Sequence, residues 1–151
     1  MIAIVIAVIA VAVAIGAWFR PMPKPEMPEA KTYSEQEVAD AKKAVCEAFQ
    51  TVQSTLEASA NQTPPDPNDV MQKFTLSVNG RLASFAGGEY LYRQIAENPA
   101  APPPLSAAVE ELASAYQRAT LAQIAQADRS KLDPIYQSAD AAASRITEAC
   151  K

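Results

Sequence analysis

Cys46 and Cys150 are the only thiols in the chain, and no histidine is present to act as their base. A cysteine nucleophile usually needs such a partner, and transition-metal sites draw most often on imidazole, so both chemistries lack their ordinary residues. The carboxylates offer little more. Glu110 and Glu111 are adjacent, and adjacent helix positions point apart, so they read as a solvated face and not as an acid–base pair. Asp66, Asn68 and Asp69 crowd one turn but lack the ligand spacing of a calcium loop, and they read as capping residues. No catalytic, cofactor-binding or metal-ligating constellation emerges, which leaves binding as the chemistry to look for. The most distinctive interior stretch is "GGEYLYRQ". Tyr90 and Tyr92 cannot both face a helical core, so one of them is expected to stand exposed beside Arg93 on an interaction surface. The plainer alternative is the end of a bundle packed under a loop.

Composition limits the partners. The net charge is −4, and every charged side chain lies at or beyond Arg20. Phosphate binding needs clustered Lys and Arg, which this acidic chain does not supply, so nucleic acid is not expected as a partner. Four glycines stand against twelve prolines and abundant alanine. Alanine is the best helix former and proline punctuates helices, so an all-α domain is expected.

The elements follow in order. Residues 1–19 are almost continuously Ile, Val and Ala, and as a helix they would reach about 27 Å, close to the hydrocarbon thickness of a bilayer. Trp18, Phe19 and Arg20 then fall where interfacial residues are enriched. The run lacks a basic leading region and exceeds an ordinary signal-peptide core, so a retained transmembrane anchor is expected over a cleaved signal. Residues 20–33 carry Pro21, Pro23, Pro25 and Pro28, whose alternation favours extended polyproline-II geometry. That segment reads as a stalk, with a proline-rich recognition ligand as the alternative.

Residues 34–151 form the domain. In "YSEQEV", Ser34 and Glu37 have the spacing of a capping box, opening a helix over about 34–60 with Val38, Val45, Phe49, Val52 and Leu56 on one face. Asp66–Pro67 reads as a second start, aspartate capping and proline at the first helical position. Met71, Phe74, Val78, Leu82 and Phe85 then lie on one helical face, although alternation around Asn79–Gly80 also fits a hairpin. Helix is favoured because a lone hairpin is marginal. Gly87–Gly88 reads as a kink or a close-packing point. A third helix over about 105–127 is expected with Leu105, Val109, Leu112, Tyr116 and Ala119 inward, and a fourth from Asp133–Pro134 with Ile135, Ala139, Ala142, Ile146 and Ala149 or Cys150 on one stripe. The natural solution is an up-down-up-down four-helix bundle.

In that topology the first and fourth helices are antiparallel neighbours. Cys46 and Cys150 fall at depths of about 21 and 24 Å, so a bridge between them is expected, with two separate buried thiols as the alternative. A bridge implies an oxidising, extracytoplasmic compartment, which outweighs the weak cytoplasmic bias of Arg20 and Lys24.

The segments "AIGAWFRPMPKPE", "AKKAVCEAF" and "NGRLASFAGGEYLYRQIAENPAAPPPL" resemble the alanine- and proline-rich single-pass membrane proteins of mycobacteria and related actinobacteria. The resemblance covers most of the chain. It implies a helical domain outside the cytoplasmic membrane and carries over no catalytic or binding residues. The expected role is that of a non-enzymatic accessory protein of the cell envelope, tethered near a membrane-protein complex. A lipid or other apolar ligand held between helices is the alternative.

Overall fold

The computed structural model describes residues 31–151, and within them every regular element is an α-helix. The expected anchor over 1–19, most of the stalk over 20–33, and Trp18, Phe19 and Arg20 lie outside the described residues. Among the described residues no helix is long and apolar enough to cross a membrane. The unit from Tyr33 to Lys151 contains α1 (Glu35–Ala60), α2 (Val70–Glu97), α3 (Pro103–Ile124) and α4 (Arg129–Ala149).

Helix α1 begins where the capping box predicts. The Glu37 amide donates to Ser34 Oγ, and the Ser34 amide donates to the Glu37 carboxylate at 2.7 Å, satisfying two of the end groups that a helix leaves unpaired. Two other starts differ from expectation. Asp66 is not the cap of α2: its carboxylate takes the Asn68 amide at 2.8 Å, closing a local turn. Asp69 caps the helix instead, accepting from the Gln72 amide at 3.0 Å. Likewise α4 starts at Arg129 behind Asp128, and Pro134 lies inside it. At α2 the cap is the aspartate whose carboxylate meets a free amide, whereas the Asp128 side chain makes no cap hydrogen bond and α4 simply continues through Asp133–Pro134.

The segment 74–85 is helical throughout, and no hairpin forms. Consecutive helices pack on one another, α1 on α2, α2 on α3 and α3 on α4. Helix α3 is the central member. It buries Leu105, Ala108, Val109, Leu112, Ala113, Ala115, Ala119 and Thr120, a broad face in which alanines let its neighbours approach closely. Around it stand Val45, Ala48, Phe49 and Val52 of α1, Leu91 of α2, and Ala139, Ala142 and Ile146 of α4. At roughly 25 cal/mol per Å² of buried apolar surface, this single cluster is the main stabilising term of the domain.

Gly87 and Gly88 are close-packing points and not a kink, because both keep ordinary negative φ. A Cβ on Gly87 would fall 2.8 Å from Val52 Cγ1, and one on Gly88 would fall 3.0 Å from the Ala113 carbonyl oxygen. These two residues therefore fix how far α2 slides along α1 and α3. The resulting stagger is large. Ser59 and Gln62, at the end of α1, are level with Gly80 and Asn79 of α2. Thr120, one turn before the end of α3, places its hydroxyl 3.5 Å from the Arg81 carbonyl. Residues 70–78 consequently run past the end of α1 by about 13 Å.

Candidate interaction surface

The structure joins Cys46 and Cys150 in a disulfide, with Cα atoms 5.8 Å apart and 104 residues between them in sequence. It ties the last turn of α4 back to the middle of α1. The depth argument that pointed to this pairing used a start for α4 that is five residues too late, yet the pairing itself holds.

Tyr90 and Tyr92 are both half-buried, and both pack against the core cluster. The Arg93 guanidinium lies 5.4 Å from the Tyr90 ring centroid, and its Nε is 3.9 Å from Glu97. Each ring is thus covered in part by the core cluster and open in part beside Arg93.

The large exposed apolar surface is elsewhere, on a face that periodicity had picked out without giving its direction. Met71 is 71% exposed, Phe74 59%, Val78 43%, Leu82 61% and Phe85 45%, and Val70 extends the row. Successive positions three and four residues apart place these side chains on one stripe. The stripe faces away from Gly87 and Leu91, which carry the contacts to the core. Two causes combine. The stagger leaves residues 70–78 without α1 or α3 beside them, and the connection through Thr63, Pro64 and Pro65 returns along the other side of α2, against Gln72, Thr75 and Leu76. Leu121 and Ile124, 64% and 63% exposed, stand open at the end of α3.

The polar pairs lie off this surface. Glu111 accepts from Arg145 at 2.5 Å and from Ser138 at 3.2 Å, and the hydrogen bond from Arg145 chiefly holds its carboxyl below the usual range. Glu110 takes no part in that pair, as adjacent helix positions require. Asp66 and Asp69 are engaged with backbone amides, and among the described residues no group of His, Cys, Asp or Glu is disposed to hold a metal ion.

Tyr116 is half-buried, and burial, aided by the Asp140 charge, pushes its phenol up to about 12. The unfolded phenol ionises near 10, so between those values the unfolded state gives up a proton that the folded state retains. Stability contributed by neutral Tyr116 is therefore full below pH 10 and falls as pH rises toward 12, by on the order of 2 kcal/mol. Urea midpoints measured across that range should fall in the wild-type chain and fall less steeply in Tyr116→Phe.

Two open grooves lie between α1 and α2. One, of about 530 Å³, is lined largely by Ser54, Thr55, Ser59, Gln62 and Asn79. The other, of about 200 Å³, lies between Val52, Ala83, Ala86, Gly87 and Tyr90. The first is open to solvent and of mixed lining, with Ala58, Leu82, Ala83 and Ala86 beside those polar residues, and the second falls below the usual ligand-pocket range of about 300–1,000 Å³.

Among the described residues these features define a disulfide-closed, all-helical four-helix bundle with an exposed apolar face on α2. In comparisons with protein families, curated proteins and solved structures, no match to the chain is found.

Proposed function

We propose that this chain is a membrane-anchored accessory protein of the cell envelope, without enzymatic activity, whose extracytoplasmic bundle binds another protein through the outward face of α2. The exposed row Met71, Phe74, Val78, Leu82 and Phe85 carries the reading. A soluble monomer seldom exposes a contiguous apolar patch beyond a few hundred Å², and larger patches mark interaction sites. The apolar run over 1–19 and the proline spacing over 20–33 support an anchor and stalk, and the resemblance to actinobacterial single-pass proteins fits that placement. The disulfide supports an oxidising compartment.

Tethering would be the mechanism. An anchored domain meets a membrane partner at a raised effective concentration, so modest contacts suffice for steady association. Ser34, where the chain joins the bundle, lies at the end shared with Asn98, Pro99 and Ala100, whereas the apolar row lies toward the other end. The binding face is thus carried away from the point where the stalk joins. The apolar-ligand alternative has less to rest on, given the grooves described above.

The full-length chain, purified in mild detergent, should migrate in an assembly larger than the monomer. Phe74→Glu or Leu82→Glu should release it while helicity and the bridge persist. A wild-type monomer in several mild detergents, or an assembly that both substitutions leave untouched, would contradict the proposal.

A further inference from the structure

The apolar row on α2 has an internal symmetry. Its members stand at Met71, Phe74, Val78, Leu82 and Phe85, with spacings of three, four, four and three residues. The order is the same read in either direction from Val78. We infer that the occupant of this face is a second copy of the same chain, its α2 laid antiparallel across a two-fold axis at Val78. This rests on the reading of the face as a protein-binding surface and names the partner.

A two-fold interface must be self-complementary, because each residue meets the counterpart of whatever meets it. Antiparallel pairing about Val78 sets Met71 opposite Phe85, Phe74 opposite Leu82, and Val78 opposite itself, so an apolar side chain always meets an apolar one. The smallest member sits on the axis, where the helices come closest, and the larger ones sit outside it. Charge does not oppose the pairing. Between Val70 and Gly88 the only charged residues of α2 are Lys73 and Arg81, and an antiparallel two-fold keeps the two Arg81 side chains on one flank but offsets them by about 9 Å along the axis, about a Debye length at physiological salt.

The stagger makes room for it. Residues 70–78 project past α1, and in the pair they lie along residues 78–86 of the other copy, where the face is also open. The two bundle bodies are then displaced along the axis and do not collide. With Val70, the row exposes on the order of 700 Å², close to the roughly 800 Å² that each partner gives to a standard specific interface. A membrane surface fits less well. Helices that lie in the lipid interface carry a polar face rich in Lys and Arg, which this stretch lacks, and the chain is net acidic.

Cysteine pairing in the full chain in its own membranes tests the geometry. Disulfides require Cα atoms about 4.4–6.8 Å apart. Under mild oxidation, Val78→Cys should couple to itself and give a band of twice the monomer mass on a non-reducing gel. Met71→Cys alone and Phe85→Cys alone should stay monomeric, since like residues then lie about 21 Å apart along the axis. Co-expressed, these two should couple to each other. Adding Phe74→Glu to Val78→Cys should lower the yield about tenfold. Equal self-coupling at 71, 78 and 85 would mean parallel or collisional contact and would overturn the inference. A monomeric Val78→Cys, with a photoreactive group at position 82 coupling to a different protein, would overturn it while leaving the binding role standing. Absence of coupling by either route would overturn both.

Discussion

Reducing the Cys46–Cys150 bridge should lower the stability of the bundle by about 5 kcal/mol, the chain-entropy figure for a loop of about one hundred residues. The bridge spans 104 residues, nearly the whole domain, so its removal frees most of the unfolded chain. The native state loses something too. Helix α4 ends at Ala149 with Cys150 as its cap, and the bridge holds that end to α1. The core of Leu105, Val109 and Leu112 remains packed without it, so reduction should loosen the carboxy-terminal turns before the centre. Urea unfolding with and without reductant, and of Cys46→Ala/Cys150→Ala, should show the lowered midpoint. Amide exchange should rise more over 139–149 than over 105–119. An unchanged midpoint would mean that the bridge constrains nothing the helices do not already hold.

Gly88→Val is expected to cost about 3 kcal/mol, in the upper part of the range for overpacking at a close contact. The Cβ alone would meet the Ala113 carbonyl oxygen at 3.0 Å and Gln117 Cγ at 3.4 Å. The oxygen belongs to a helix backbone, which can yield only if α3 moves as a body. Gln117 is also engaged, donating to Glu89 at 2.5 Å. Replacing glycine in a helix gains up to about 1 kcal/mol of propensity, which offsets only part of that loss. Gly87→Ala makes the contrast. Its Cβ meets a Val52 methyl at 2.8 Å, a side-chain contact that Val52→Ala removes. The double variant Gly87→Ala/Val52→Ala should therefore lose less than the sum of the singles, a non-additivity expected of residues in contact. No side chain can be trimmed to rescue Gly88→Val in the same way. Equal, additive costs at the two glycines would show that neither sets the distance between helices.

Those two glycines also mark where sequence reasoning reached its limit. The capping box at Ser34 and most inward residues of α1, α3 and α4 follow from local spacing, because caps and periodicity are local properties. The cysteine pairing rests instead on the bundle topology, through a depth match that used a misplaced start of α4. The starts of α2 and α4 differ from the Asp-Pro signal. At α2 Asp69 takes the free amide in place of Asp66, and at α4 the helix runs through Asp133–Pro134 from Arg129, with no side-chain cap at Asp128. The apolar face of α2 was visible as a face, but periodicity fixes only an angle around the helix axis. Whether Phe74 and Leu82 look inward or outward depends on the stagger, and the stagger is set by backbone contacts at Gly87 and Gly88 with residues far off in sequence. Tyr90 and Tyr92 drew attention as unusual residues, whereas the surface that stands open is built from ordinary ones.

The most direct test of an occupied α2 face is the reactivity of Leu82→Cys toward a maleimide in intact native membranes, compared with the same chain after dissociation in strong detergent with the Cys46–Cys150 bridge intact. Covered by a protein, the introduced thiol should react at least about tenfold more slowly in the membrane than after dissociation. Equal rates in the two states would mean that the face stands bare where the protein works, and would contradict a role in binding.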